Sequence, residues 1–167
     1  GITTAVVGNC GSGAAASHDG KIQMKAINDP SADLPDWDGY AGYLDEVDKS
    51  APALNVAALV GHNTARRQSM GGVADRQPDE NEMDSMLANV EEGMQAGAVG
   101  LSTGLVYAPG RYARTDEVER LAKVAGRFGG LYVSHMRDEG SRLLDSIEET
   151  LHIGEVSGCP VEISHHK

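Results

Sequence analysis

The 167-residue sequence has no apolar run approaching the roughly 18 residues a membrane-spanning helix needs, and no basic-then-apolar leader segment. It is also short of positive charge. Fourteen Lys and Arg against 25 Asp and Glu leave a formal net charge of −11, which repels phosphate backbones and anionic lipid surfaces. Neither nucleic acid nor a membrane is an expected partner. Two cysteines, Cys10 and Cys159, are too few for a disulfide framework, and a reducing, cytoplasmic setting is the expectation. An initiator Met is missing too. Gly1-Ile2-Thr3-Thr4 runs straight into an apolar stretch, and Lys167 falls inside a motif. Domains usually end on surface residues away from their own sites, so residues 1–167 are expected to be an internal part of a larger domain.

What is present is a repeated pattern. In Val161-Glu162-Ile163-Ser164-His165-His166-Lys167, apolar and polar residues alternate with the period of a β-strand. The parity that orients Val161 and Ile163 would also orient His165 at the strand's C-terminal end. Thirty residues earlier, Leu131, Val133 and His135 share one parity in Leu-Tyr-Val-Ser-His-Met-Arg. Parallel strands aim their terminal side chains into a shared cleft, and neutral imidazole is the commonest protein metal ligand. His135 and His165 are therefore expected to be two ligands of one metal.

Residues 2–7 form a β-branched run closed by Gly8-Asn9-Cys10-Gly11-Ser12-Gly13. The glycines are in the wrong order for a dinucleotide-binding fingerprint, and the next strand ends in His62 rather than an acidic residue, so that reading is rejected. Cys10 follows its strand as the two histidines follow theirs. A thiolate is a strong zinc ligand, while a small buried thiol is the commonest state of a free cysteine, and spacing alone leaves both open. Residues 54–60 are almost continuously apolar, as in a strand covered on both faces. His62 then is either a third ligand or a histidine held in supporting hydrogen bonds. The second is preferred, because Asn63-Thr64-Ala65-Arg66-Arg67 reads as a polar lid.

Helices are expected over 36–49, with Trp37, Tyr40, Leu44 and Val47 inward, and over 78–95, with Met83, Met86, Leu87, Val90 and Met94 on one stripe. Two more are expected over 115–128 and 141–156. The first is capped by Thr115 with Val118, Leu121, Ala125 and Phe128 buried, and the second has Leu144, Ile147 and Leu151 inward. Residues 17–35 read as a loop and 98–101 as a short strand leading to Tyr107, whose hydroxyl would face a ligand unless the ring simply packs a turn. Arg137 and its neighbours read as a solvated ion cluster, and Cys159, at the other end of its strand, as core. Five strands alternating with four helices make a parallel α/β fold, either an open doubly wound sheet or part of a (β/α)8 TIM barrel. The repeat of about 30 residues suits the barrel, of which this chain would hold five of eight units.

The segments Gly-Ile-Thr-Thr-Ala-Val-Val-Gly-Asn-Cys-Gly (1–11), Asn-Val-Ala-Ala-Leu-Val-Gly-His (55–62), Gly-Leu-Ser-Thr-Gly-Leu-Val-Tyr-Ala-Pro-Gly (100–110), Ser-His-Met-Arg-Asp-Glu (134–139) and Ile-Ser-His-His-Lys (163–167) resemble the N-acyl-D-amino-acid deacylases of the amidohydrolase superfamily. The resemblance covers the whole chain with the motifs in the family's order. It implies a partial metal-dependent (β/α)8 barrel over residues 1–167, with Zn2+ held by Cys10, His135 and His165. It further implies that Lys167 pairs with the substrate carboxylate, that Tyr107 lines the substrate pocket and that His62 has a supporting role.

The implied reaction is hydrolysis of the amide of a small-molecule N-acyl-D-amino acid. The family's His-x-His would lie before Gly1 and its catalytic aspartate after Lys167, so no catalytic residue is assigned within 1–167. Asp138 is not promoted to that role. Residues 1–167 alone are expected to be inactive. The alternatives are a cyclic-amide hydrolase of the dihydroorotase or hydantoinase type and a non-catalytic metal-binding piece.

Overall fold

The computed structural model describes residues 1–13, 31 and 33–165. Most of the expected 17–35 loop therefore lies outside the described residues. Strands β1 (Thr4–Val7), β2 (Asn55–Gly61), β3 (Gly100–Gly104), β4 (Leu131–His135) and β5 (Val161–Ile163) lie side by side in chain order, every pair parallel. Between them run helices α1 (Gly39–Lys49), α2 (His62–Met70), α3 (Glu80–Ala96), α4 (Thr115–Arg127) and α5 (Leu143–Ser157). Parallel neighbours need long crossovers, and helical crossovers in sequential order curl such a sheet into a half-barrel. Among the described residues, no helix is long and apolar enough to cross a membrane.

The core lies between the sheet and its helices. Ala58 and Val60 of β2, Leu101 of β3 and Tyr132 of β4 meet Met83, Met86, Val90 and Met94 of α3, Val118 and Leu121 of α4 and Ile153 of α5. The methionine stripe is thus packing, as its spacing predicted. Helix α3 begins where its sequence says it should. The Asp79 carboxylate accepts from the Glu82 backbone N–H at 2.9 Å, and the Glu82 carboxylate accepts from the Asp79 backbone N–H at 2.9 Å, a reciprocal cap that satisfies two otherwise open donors. Gly97, with φ of 110°, ends it.

Four expectations are corrected. Residues 63–67 are not a lid but the body of α2, with His62, Asn63, Thr64, Ala65 and Arg66 all buried. Their polar groups escaped a hydrophobic-pattern reading because they bond inside the fold. In α5 the inward face is Ser146, Thr150, Ile153 and Gly154, while Leu144 and Leu151 are exposed. A Cβ at Gly154 would collide with Val161, so small residues let this helix approach the sheet, and the Thr150 hydroxyl hides its polarity by donating to the Ser146 carbonyl at 2.7 Å. Thr115 does not cap α4. Arg114 holds the cap position without a side-chain bond, and the Thr115 hydroxyl donates instead to Glu149 at 2.8 Å. Phe128, just past the end of α4, is 43% exposed.

Candidate metal centre

The site is assembled where β1, β3, β4 and β5 end. Beyond β1, Cys10 has φ of 55°, a left-handed backbone that costs a residue with a Cβ roughly 1–3 kcal/mol and persists only where the surroundings impose it. Here they do. The Asn9 side-chain oxygen accepts from the Cys10 N–H at 2.8 Å, the Gly11 N–H donates to the Ser102 hydroxyl at 3.1 Å, and that hydroxyl donates to the Gly8 carbonyl at 2.5 Å. At Gly104 the Cys10 carbonyl packs so closely that a Cβ would collide with it. The loop is seated on the end of β3, and Sγ of Cys10 is turned toward β4 and β5.

Cys10 Sγ lies 3.5 Å from Nδ1 of His135 and 3.4 Å from Nε2 of His165, and the three donor atoms fall within 4.8 Å of one another. His135 is buried, and Cys10 and His165 are half-buried. The two imidazole rings meet edge to face at 4.4 Å between centroids. Residues 125 and 155 positions away from Cys10 thus converge on one point.

His165 arrives there by a route its sequence pattern did not indicate. The register pairs Tyr132 with Val161 and Ser134 with Ile163, and Tyr132 and Val161 both belong to the helix-covered side. Strict alternation would carry His165 to that side as well, away from His135. Instead β5 stops at Ile163. Ser164 bonds through its N–H to the Ser134 carbonyl at 2.9 Å and through its hydroxyl to Asn9 at 3.0 Å, and the bend brings His165 over the strand end.

Tyr107 stands beside this group, its ring 4.8 Å from that of His135 and nearly perpendicular to it, and 48% exposed. Its segment is pinned from three directions. The Leu105 N–H donates to the His135 carbonyl at 2.9 Å, Arg67 to the Ala108 carbonyl at 3.0 Å and Arg137 to the Arg111 carbonyl at 3.2 Å. Lys167 lies outside the described residues.

His62 is not in the cluster. Its Nε2 pairs with Glu117 at 2.8 Å, and Arg66 donates to the other Glu117 oxygen at 2.6 Å, all three side chains being buried. Arg66 also donates to the Arg76 carbonyl. Burial alone pushes the Glu117 carboxyl up, but the hydrogen bond and charge of His62, with the charge and hydrogen bond of Arg66, outweigh it and hold the group below the usual carboxylate range.

Arg137 is not a solvated ion. It forms a two-point pair with Glu149 at 2.9 and 3.0 Å, both side chains largely covered. Asp138 is occupied by the turn into α5, accepting from the N–H groups of Gly140 at 2.7 Å and Arg142 at 3.1 Å, and these backbone bonds lower its pKa. Cys159 is buried, its thiol set against the Ala122 carbonyl at 3.4 Å, and burial raises its pKa. Two residues at the site, each inside a segment that carries the resemblance, were given no role by the sequence: Asn9, which joins the Cys10 and Ser164 loops, and Glu139, 3.5 Å from Nε2 of His135. A carboxylate four residues past a strand histidine has no pattern to single it out.

No protein-family model matches the chain. It is 41% identical over its whole length to an N-acyl-D-glutamate deacylase of Alcaligenes xylosoxydans xylosoxydans and 38% identical to a D-aminoacylase of the same organism, covering 34% of each. In structure it superposes on an N-acyl-D-glutamate deacylase of Bordetella bronchiseptica, solved with zinc and a phosphonate mimic of the tetrahedral intermediate, with a TM-score of 0.85 at 37% identity. A D-aminoacylase described as defining a subset of amidohydrolases gives a TM-score of 0.84 at 34% identity. Each comparison spans all of this chain and 35% of the solved one. Matched from its first residue to its last, the chain is homologous to N-acyl-D-amino-acid deacylases of the amidohydrolase superfamily and spans about a third of the length of these relatives.

Proposed function

We propose that this chain supplies three ligands, Cys10, His135 and His165, to a divalent metal, zinc by preference, in an enzyme that hydrolyses the amide of N-acyl-D-amino acids. The observation that carries the proposal is the convergence of the three donors. Zinc bonds of about 2.3 Å to sulfur and 2.0–2.1 Å to nitrogen, set at tetrahedral angles, imply sulfur-to-nitrogen edges of about 3.6 Å. The separations from Cys10 are 3.5 and 3.4 Å. A thiolate with two imidazoles is also a donor set that zinc and its soft neighbours favour over magnesium or calcium.

When bound, the ion supplies Lewis acidity for activating water and polarising an acyl carbonyl. The chain's own residues do the rest of the local work. Cys10 and the two histidines must present deprotonated donors, and the hydrogen bonds around Cys10 fix the direction of its thiol before the ion arrives. Tyr107, half open to solvent beside His135, presents a phenol that can donate to a substrate oxygen. Lys167 would hold the α-carboxylate as a point charge, which fixes the hand of the substrate's Cα.

The experiment joins metal analysis of the purified protein to assays, at the relatives' full length, of N-acetyl-D-glutamate, N-acetyl-D-aspartate and N-acetyl-D-leucine. Their L-enantiomers and a hydantoin complete the panel. Stoichiometric zinc, lost in Cys10→Ala and His135→Ala, together with D-selective release of amino acid, is the expected result. Metal retained in both variants would remove the ligand assignment, and preferential ring opening of the hydantoin would move the enzyme to the cyclic-amide hydrolases.

A further inference from the structure

We infer that Glu139 is a positioning residue that fixes the tautomer of His135, so that the proton sits on Nε2 and the bare Nδ1 is left to coordinate. The inference rests on the ligand assignment above and extends it to a residue that assignment does not use. The two nitrogens of His135 face different neighbours. Nδ1 is 3.5 Å from the sulfur of Cys10, and Nε2 is 3.5 Å from a carboxylate oxygen of Glu139. The imidazole is buried, and the Glu139 side chain is largely covered, with one oxygen shut off from solvent.

A neutral imidazole carries one proton and can place it on either nitrogen. An acceptor-only carboxylate facing Nε2 stabilises the Nε2–H form. A proton on Nδ1 would instead point at the thiol and occupy the lone pair that a metal needs. The same contact restrains rotation of the ring, which Tyr107 and His165 flank at 4.8 and 4.4 Å between ring centroids. The sequence makes this placement possible. His135 is the last residue of β4, and the chain turns through Met136-Arg137-Asp138 so that the fourth residue on comes back against the ring. Arg137, paired with Glu149, and Asp138, bonded to the following turn, hold that return in place.

The test has two independent readouts. The first is long-range 1H–15N correlation of the imidazoles in metal-free protein at about pH 8.5, above the ordinary imidazole range. In the wild type the His135 proton is expected on Nε2. A wild-type proton on Nδ1 overturns the inference whatever any variant does. In Glu139→Ala the two tautomers should both appear, while the exposed His152, which pairs with Glu119 at 3.1 Å, stays unchanged as an internal reference.

The second readout is zinc affinity by competition with a chromophoric chelator. Loss of a partner that orients a metal-binding histidine typically costs about 10–100-fold in affinity, so Glu139→Ala should bind zinc at least about tenfold more weakly. Glu139→Gln, which keeps an acceptor oxygen but not the charge, should fall between. Affinity within about twofold of wild type in a folded Glu139→Ala or Glu139→Gln protein overturns the inference. His135→Ala separates the two levels: if it leaves zinc binding intact the ligand assignment has failed, and if it abolishes binding while Glu139→Ala does not, only the role of Glu139 has failed.

Discussion

Replacing Glu117 tests whether the fold beneath the site depends on a buried charge. Glu117 is 4% exposed, and its two oxygens are taken by His62 at 2.8 Å and Arg66 at 2.6 Å. Arg66 is fully buried and cannot shed its proton, so removing the carboxylate leaves a buried cation whose remaining hydrogen bonds go to the Ala74 and Arg76 carbonyls. Breaking a buried pair from one side costs about 3–5 kcal/mol, a large fraction of the 5–15 kcal/mol by which domains are stable. For a chain of this length each kcal/mol moves the midpoint by about 2–4 °C, so Glu117→Ala should lower Tm by about 10–15 °C. Glu117→Gln, which keeps the shape, should lose nearly as much, because the loss is of charge. The pH dependence has a definite sign. A carboxyl held below its ordinary pKa in the folded state contributes its full stabilisation above about pH 4.3 and loses it as the pH falls through the lower, folded value. The gap in stability between wild type and Glu117→Gln should therefore be constant at neutral pH and close as the solution is acidified below about pH 4. Calorimetry or urea unfolding across that range is the assay. A drop in Tm of less than about 3 °C, or a gap that widens in acid, would refute the reasoning.

Gly104→Ala should push the Cys10 loop off the end of β3, costing about 1–3 kcal/mol for the forced contact and weakening zinc retention; unfolding and chelator competition measured on the same sample should show both. Met86→Ala, at a fully buried position on the inner stripe of α3, should cost about 2–5 kcal/mol by cavity formation while leaving zinc affinity in the folded protein unchanged. A loss of affinity there would mean that the core and the site are coupled.

Much of the architecture could be read from the residues because strands and helices here bury apolar side chains at their ordinary periods. Leu131–His135 and the Met83, Met86, Val90, Met94 stripe are cases where pattern and structure coincide. Two of the failures, in α2 and α5, share a cause. In α2 the buried polar groups bond to Glu117 and to the carbonyls of Gly13 and Gly104, while on the inner face of α5 the Thr150 hydroxyl bonds back to its own helix and small residues do the packing that bulk was expected to do. A reading based on hydrophobicity turns such helices inside out or misses them. Buried Arg66 and exposed Leu144 are the same error with opposite sign.

The site shows the limit more sharply. Cys10, His135 and His165 stand out as candidates because each lies at or just past the end of a strand; His135 is the last residue of β4, and Cys10 and His165 sit in the turns beyond β1 and β5. Alternation along β5 would have aimed His165 at the helices. What corrects its aim is the pair of bonds made by Ser164, from its N–H to the Ser134 carbonyl and from its hydroxyl to Asn9, whose side-chain oxygen also accepts from the backbone of Cys10 and so joins the two turns. Strand ends fix where the chain leaves the sheet to within a residue, but a metal site needs its donors placed to about 0.5 Å. That last adjustment belongs to Asn9, Ser102, Ser164 and the missing side chain at Gly104, none of which has a pattern in the sequence, since each acts through contact with residues about 90 to 155 positions away.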